Sequence, residues 1–456
     1  MISRRHLLRG AAACALLPTL APGRAAAAGD PFMKLDATAQ AALVSSGEAS
    51  AAELVAASVS RIEALNPALN AVVTTSYEQA LAVATSGPPA GPFQGVPYLI
   101  KDLVDQAGVR TTRGSKLFAN AIAEAHSPSV KAQLGLGLIS LGKSNTPEFG
   151  FLPTTESVLL GPCRNPWNPE HTAGGSSGGA AAAVASGMTP IASASDGGGS
   201  IRIPASCCGL FGLKTSRGRT IANAPPAFAQ ISVQNIVSRS VRDSATALVG
   251  IQAQSDLPVT PLVTGPSDRK LRIALSTRSM LGTAPDPEVA AAIEATAALC
   301  ESLGHTVEEA QPDFDGPLFA DAFLTVWANG AKGLVETATR LSGQDPRDSG
   351  LLEPFTLGLA DWFDAKPEGH LAASQAVFAQ VTQAYATFHE RFDVALTPVL
   401  GAPPPKIGAM APTIPFETLE PLLLDYVGYT PMANATGAPA MSVPLTWSAA
   451  GLPIGS

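Results

Sequence analysis

Two serines lie in glycine-packed settings 24 positions apart: Ser176 in Gly174-Gly175-Ser176-Ser177-Gly178-Gly179, and Ser200 in Asp196-Gly197-Gly198-Gly199-Ser200. Glycine permits positive φ and close approach of a substrate to the main chain, so both settings present a hydroxyl for chemistry. A serine hydroxyl becomes nucleophilic only when a base takes its proton, and the sequence offers two kinds of base. Gly174 to Gly178 has the form G-x-S-x-G, a nucleophile elbow, which requires a downstream histidine; His305, His370 and His389 are the candidates. None of them reads as a loop residue at the end of a strand. That scheme also leaves the glycines before Ser200 and an isolated lysine, Lys101, without a role.

Lys101 closes the apolar run Val96-Pro97-Tyr98-Leu99-Ile100. Lysine is a poor strand residue and is seldom buried, so its place there needs a reason. One reason is a charge guarding an edge strand. The other is a desolvated amine, neutral near working pH and able to act as a base. A Ser/Lys mechanism uses both serine segments, with the amides from Gly197 to Ser200 converging as an oxyanion hole.

Other elements must position these groups. Asp36 caps a short helix through Val44 that Gly47 ends, and Ser50 with Glu53 forms a capping box for a helix to about Leu65, before Asn66-Pro67. Helical character over 127–135 precedes strand character over 136–141. Gly137 to Ser144 satisfies G-x-x-x-x-G-K-S, but its variable residues read as strand and Asn145-Thr146-Pro147 follows instead of a helix, so a phosphate loop is rejected. Cys207 and Cys208 fall in a buried, strand-like run, 271–275 reads as a strand, and 287–302 as a helix. The stretch 314–377, aromatic and punctuated by Pro and Gly, suits a pocket wall, 391–400 reads as a strand entering a proline-rich loop, and 434–444 as a loop and a buried strand.

The chain has 456 residues, 46% hydrophobic and 14% charged, with 42 Gly and 39 Pro spread without a period, which is the composition of a loop-rich globular protein. Its formal net charge is −8. With Arg4, Arg5, Arg9 and Arg24 removed it becomes about −12, a field that repels nucleic acid. Residues 1–28 read as a twin-arginine-type signal peptide, with Arg4-Arg5 ahead of a short apolar run and small residues before Gly29, which makes the protein exported, periplasmic or secreted. The remainder lacks a run of about 20 apolar residues, so no membrane span is expected in the mature chain. Cys163, Cys207, Cys208 and Cys300 remain after the signal; they form no CxxC pair, and no metal site is expected.

The set Gly95-Val96-Pro97 to Lys101-Asp102, Gly142-Lys143-Ser144-Asn145, Arg164-Asn165-Pro166-Trp167, 174–179, 196–202 and 209–214 resembles the amidase signature family of serine hydrolases over nearly all of the mature chain. The resemblance implies an α/β fold, a single large domain over 29–456 with a central mixed β-sheet covered by helices on both faces. It implies hydrolysis of a carboxamide or a small linear or cyclic amide through a Ser-Ser-Lys triad and an acyl-enzyme. Ser200 would be the nucleophile, Ser176 the relay and Lys101 the base, with a cis peptide between Gly175 and Ser176. Gly197, Gly198 and Gly199 with Ser200 would form the oxyanion hole, Asp196 and Arg202 would hold the loop, and Ser177 would support it. No cofactor is implied, and the partner is a small-molecule amide.

Within the family, the openings 36–54 and 91–103 look closest to the branch of 6-aminohexanoate-cyclic-dimer hydrolases. The export signal sets the chain apart from the glutamyl-tRNA amidotransferase subunit. The ending at Gly451 to Ser456, where family members enter another strand and a closing helix, makes the chain look truncated and raises the expectation of exposed sheet edge and low stability. A Ser-His-Asp hydrolase using the elbow is the alternative, and a catalytically inactive binding protein the third reading.

Overall fold

Seven strands, labelled in chain order, carry the residues singled out above: β1 (Val72–Thr75), β2 (Pro97–Lys101), β3 (Ile139–Ser144), β4 (Ile191–Asp196), β5 (Phe211–Lys214), β6 (Val233–Ser238) and β7 (Ala440–Ser442). In a computed structural model of the protein they form one sheet in the order β1-β3-β2-β4-β6-β5-β7. β2 runs parallel to both β3 and β4, and every other pairing is antiparallel, so the sheet is mixed as expected. The structure describes residues 29–223, 231–253 and 257–456; the expected signal peptide, 1–28, lies outside the described residues.

The four central strands are buried along their whole length, because both faces of the sheet are covered. Side chains alternate across a strand. Tyr98 and Ile100 of β2 therefore join Phe93, Val130, Leu138, Ile191, Ile236 and Ala247 in one core cluster. Leu99 points the other way, into the cluster of Ala192, Ala194, Val237 and the alanine-rich helix Gly178–Ala185. That helix lies very close to the sheet: a Cβ on Gly179 would stand 2.2 Å from the Asn145 amide nitrogen. A smaller parallel sheet pairs Arg272–Leu275 with Val394–Leu396, both where strand character was expected, and with Thr306–Glu309, which was not anticipated.

Four expectations shift. The helix Ala51–Leu69 continues past Leu65 with Pro67 inside it and stops at Asn70, where Asn66 Oδ1 accepts the amides of Ala71 and Val72. Strand β3 begins at Ile139 rather than 136, because Gly137 (φ 91°) still belongs to the preceding turn, and this places Lys143 inside the strand. Cys207 and Cys208 end the helix Arg202–Cys208, closed by Gly209 in the left-handed region, instead of lying in a strand. The punctuated stretch 314–377 is mainly helical, with Gly316–Ser342, Pro354–Asp364 and the start of His370–Arg391; Pro317, Pro346 and Pro354 sit in first helical turns, where the missing N–H costs nothing, and Pro367 lies between two helices. Among the described residues no helix is long and apolar enough to cross a membrane.

Candidate active site

Lys101 is the last residue of β2, flanked by β3 and β4 in the interior of the sheet, so the edge-strand reading fails. It is 1% exposed. Its Nζ donates to Ser176 Oγ at 2.7 Å and to Ser195 Oγ at 3.0 Å. Burial pushes its pKa down to about 7, while the negative charge of Asp196 pulls the other way. The site thus holds an amine poised between its charged and neutral forms and in contact with a serine hydroxyl.

Ser176 follows a cis peptide bond from Gly175, as expected. Its glycines answer to close packing. A Cβ on Gly175 would lie 2.6 Å from the Thr154 carbonyl oxygen, and one on Gly178 would lie 2.4 Å from Thr155 Oγ1, so the 150–155 segment wraps this turn tightly. Thr155 Oγ1 also donates to the Gly174 carbonyl at 2.9 Å. Ser177 supports the turn from the other side, its hydroxyl lying 3.3 Å from the Ser195 carbonyl oxygen.

Ser200 stands at the turn between β4 and the helix Arg202–Cys208 and is 8% exposed, against 2% for Ser176. Of the two serines, Ser200 lines a cavity, together with Gly198, Ile203, Phe323, Leu324, Trp327 and Phe355 among others. The helices Gly316–Ser342 and Pro354–Asp364 supply Phe323, Leu324, Trp327 and Phe355 to its wall, where the aromatic stretch had suggested one. A wider cleft lined by Tyr385, His389 and Thr397 contains neither serine.

Asp196 holds the Ser200 turn. Arg202 grips its carboxylate at 2.9 and 3.0 Å, and the carboxylate also accepts the amides of Gly199 at 2.8 Å and Ile201 at 3.2 Å. Burial disfavours the ionised form, but Arg202, Lys214 and Asn434 outweigh it and hold the carboxyl well below the usual range. These contacts correct one expectation: the Gly199 N–H is turned onto Asp196, so Gly199 is a positioning glycine rather than an oxyanion donor. Its φ of 134° and a would-be Cβ only 2.4 Å from Thr430 Oγ1 explain why glycine is needed there.

Sequence reasoning missed three contributors. Ser195 is the second partner of Lys101; its place directly before Asp196 was the available signal. Asn434 donates to Asp196 Oδ1 at 2.9 Å and accepts from Arg202 at 2.6 Å, and Thr430 donates to the Gly198 carbonyl at 2.6 Å. Both come from more than 200 residues away, and no local pattern marks them.

Lys143, of the rejected phosphate-loop match, is fully buried, donates to Thr111 Oγ1 at 2.9 Å and pairs with Asp102 at 3.7 Å. It locks the turn after Lys101. The three candidate histidines have other partners: His305 Nδ1 accepts the Leu271 amide, His370 Nε2 meets Asp321, and His389 Nδ1 meets the Phe392 carbonyl. None bonds Ser176 or Ser200. Among the described residues no group of three or more His, Cys, Asp or Glu is placed to hold a metal ion.

The sequence pattern of the family described as Amidase matches residues 53–456. AmiC of Mycobacterium tuberculosis, which carries an amidase name, is 39% identical over 434 residues, covering 93% of this chain and 90% of the relative. The 6-aminohexanoate-cyclic-dimer hydrolase of Pseudomonas sp. strain NK87 is 34% identical, with 92% and 90% covered. Among solved structures, that of a 6-aminohexanoate cyclic dimer hydrolase superposes with a TM-score of 0.83 at 32% identity, covering 93% of this chain and 92% of the other.

Proposed function

The chain belongs to the amidase signature family, amide-hydrolysing enzymes of the α/β class, and from that premise we propose that it cleaves a carboxamide or a small linear or cyclic amide through Ser200, Ser176 and Lys101. The observation that carries the reading is the buried Lys101 Nζ, 2.7 Å from Ser176 Oγ, with a pKa near 7. Ser200 Oγ attacks the carbonyl carbon while its proton passes to Ser176, whose own proton passes to neutral Lys101. The tetrahedral oxyanion is received by the amides of Gly197, Gly198 and Ser200. Collapse breaks the C–N bond, and the relay run backwards delivers the proton to the departing amine. Water then attacks the acyl-Ser200 ester with the same relay as base, releasing the carboxylic acid and restoring the serine.

The test is alanine substitution of each residue with burst kinetics on an anilide. Ser200→Ala loses the burst and about 1,000-fold or more in kcat, and Ser176→Ala and Lys101→Ala lose a comparable amount because the three act as a unit. An active Ser200→Ala enzyme ends the proposal. Fluorophosphonate labelling of Ser176 in that variant would favour the elbow alternative instead.

A further inference from the structure

The cavity beside Ser200 has a composition that selects among amides. Its lining runs from Gly150, Phe151, Leu152 and Pro153 through Ile203 and Met280 to Leu423, Leu424 and Val427, and contains no Asp, Glu, Lys or Arg. Ser200 supplies its hydroxyl. The charged groups nearest the chemistry are spoken for: Asp196 is paired with Arg202, and Lys101 faces Ser176 and Ser195.

One helix face carries two of the aromatic rings in the wall. Phe323 and Trp327 lie one turn apart on the helix Gly316–Ser342 and stack with ring centroids 6.0 Å apart, tilted by 21°. Trp327 Nε1 donates to the Phe151 carbonyl at 3.3 Å, which fixes the indole. The two rings stand directly over the glycine run: a Cβ on Gly197 would meet Trp327 at 3.1 Å, and one on Gly198 would meet Phe323 at 3.2 Å. The aromatic wall therefore approaches the proposed oxyanion donors as closely as glycine allows.

We propose that this slot receives an uncharged alkyl or aryl substituent of the scissile amide and rejects one that ends in an ammonium or a carboxylate. The inference rests on the Ser200 reading above and deepens it. Each methylene that enters such a surface contributes about fourfold in kcat/KM, until the slot is filled. A terminal charge that enters meets no counter-charge and, beyond the reacting Ser200 hydroxyl, a lining of apolar side chains, so it loses most of its hydration without replacement.

The experiment compares N-hexylhexanamide with N-(6-aminohexyl)-6-aminohexanamide, the same chains with an ammonium at each end, by release of amine from the wild-type enzyme. Whichever chain takes the slot, the neutral amide is favoured by about 100-fold or more in kcat/KM. Equal rates, or a preference for the diammonium amide, overturn the inference and leave the amidase reading standing. If neither amide is turned over, that outcome counts against the reading above, and the slot is judged by calorimetry on Ser200→Ala: tighter binding of N-hexylhexanamide supports the inference, and equal binding overturns it. Leu324→Asp, which places a carboxylate in the lining, shifts the ratio towards the diammonium amide by about tenfold or more. An unchanged ratio in a folded Leu324→Asp enzyme also counts against the slot.

Discussion

At the scale of single residues, the defining fact is that Lys101, at the end of a central strand, has among the described residues two serine hydroxyls and no carboxylate in contact. Burial alone would drive Lys101 neutral, and Asp196 restrains it at about 7. A base must be unprotonated to accept the serine proton, so kcat/KM for a neutral amide rises about tenfold per pH unit below pH 7 and levels above it. Lys101→Arg, whose guanidinium stays charged, is inactive throughout. A flat profile from pH 5 to pH 9 would remove Lys101 from the base position. Asp196 behaves in the opposite sense. Its folded pKa is depressed, so the stability it contributes is present above its unfolded value, about 4, and is lost as pH falls through the folded one. Arg202→Met leaves that carboxylate buried without its cation, at a cost of about 3 kcal/mol or more read from urea midpoints at pH 7.

At the scale of elements, the site is three segments held in register by contacts that glycine makes possible. A Cβ on Gly179 would overlap the main chain at Asn145 and at Ala71, so Gly179→Ala pushes the helix Gly178–Ala185 off the sheet and lowers stability by about 2 kcal/mol or more, measurable as a drop in Tm. The pocket-wall helix Pro354–Asp364 is tied to the segment around Ser176 by a pair of acids. Glu148 accepts the Glu353 amide at 2.9 Å and hydroxyl donation from Ser115 at 2.6 Å, and Glu353 accepts the Val158 amide at 2.6 Å. Burial, followed by the charge of Glu148, pushes Glu353 up to about 8. The native state then holds a proton that the unfolded chain releases, so this pair lowers stability as pH rises from about 4.5 to about 8. Glu353→Gln keeps the acceptor for Val158 and flattens that slope; a urea midpoint series equally steep in the variant would refute the assignment.

The same contacts explain what the sequence could disclose. Ser176, Ser200 and Lys101 were legible because each breaks a local rule: bare serines among glycines, and a lysine ending an apolar strand. Caps such as Asp36 and Ser50 were legible because a cap is a local hydrogen bond. Asn434 and Thr430 were not, since they act across more than 200 residues through packing of the helix Pro431–Thr436 and the turn before it. Helices within 314–377 were missed because proline, read as punctuation, marked their first turns.

At the scale of the whole molecule, the described residues are held by a core covered on both faces of the sheet, with no disulfide among them. Cys163, Cys207 and Cys208 are buried free thiols, and Cys300 is half-buried. Burial raises every one of these thiols, with Cys207 pushed up to about 12, so the reactive thiolate is suppressed in the folded state. A protein folded in a reducing compartment before export, the route proposed from Arg4 and Arg5, has to be built in this way. Two outcomes follow for the chain freed of residues 1–28. Its Tm is the same with and without reductant, and brief iodoacetamide treatment of the native protein modifies Cys300 alone, while treatment in urea modifies all four cysteines by intact-mass analysis. A Tm that falls on reduction would show that a disulfide supports the fold, and would count against export of a chain that completes its folding inside the cell.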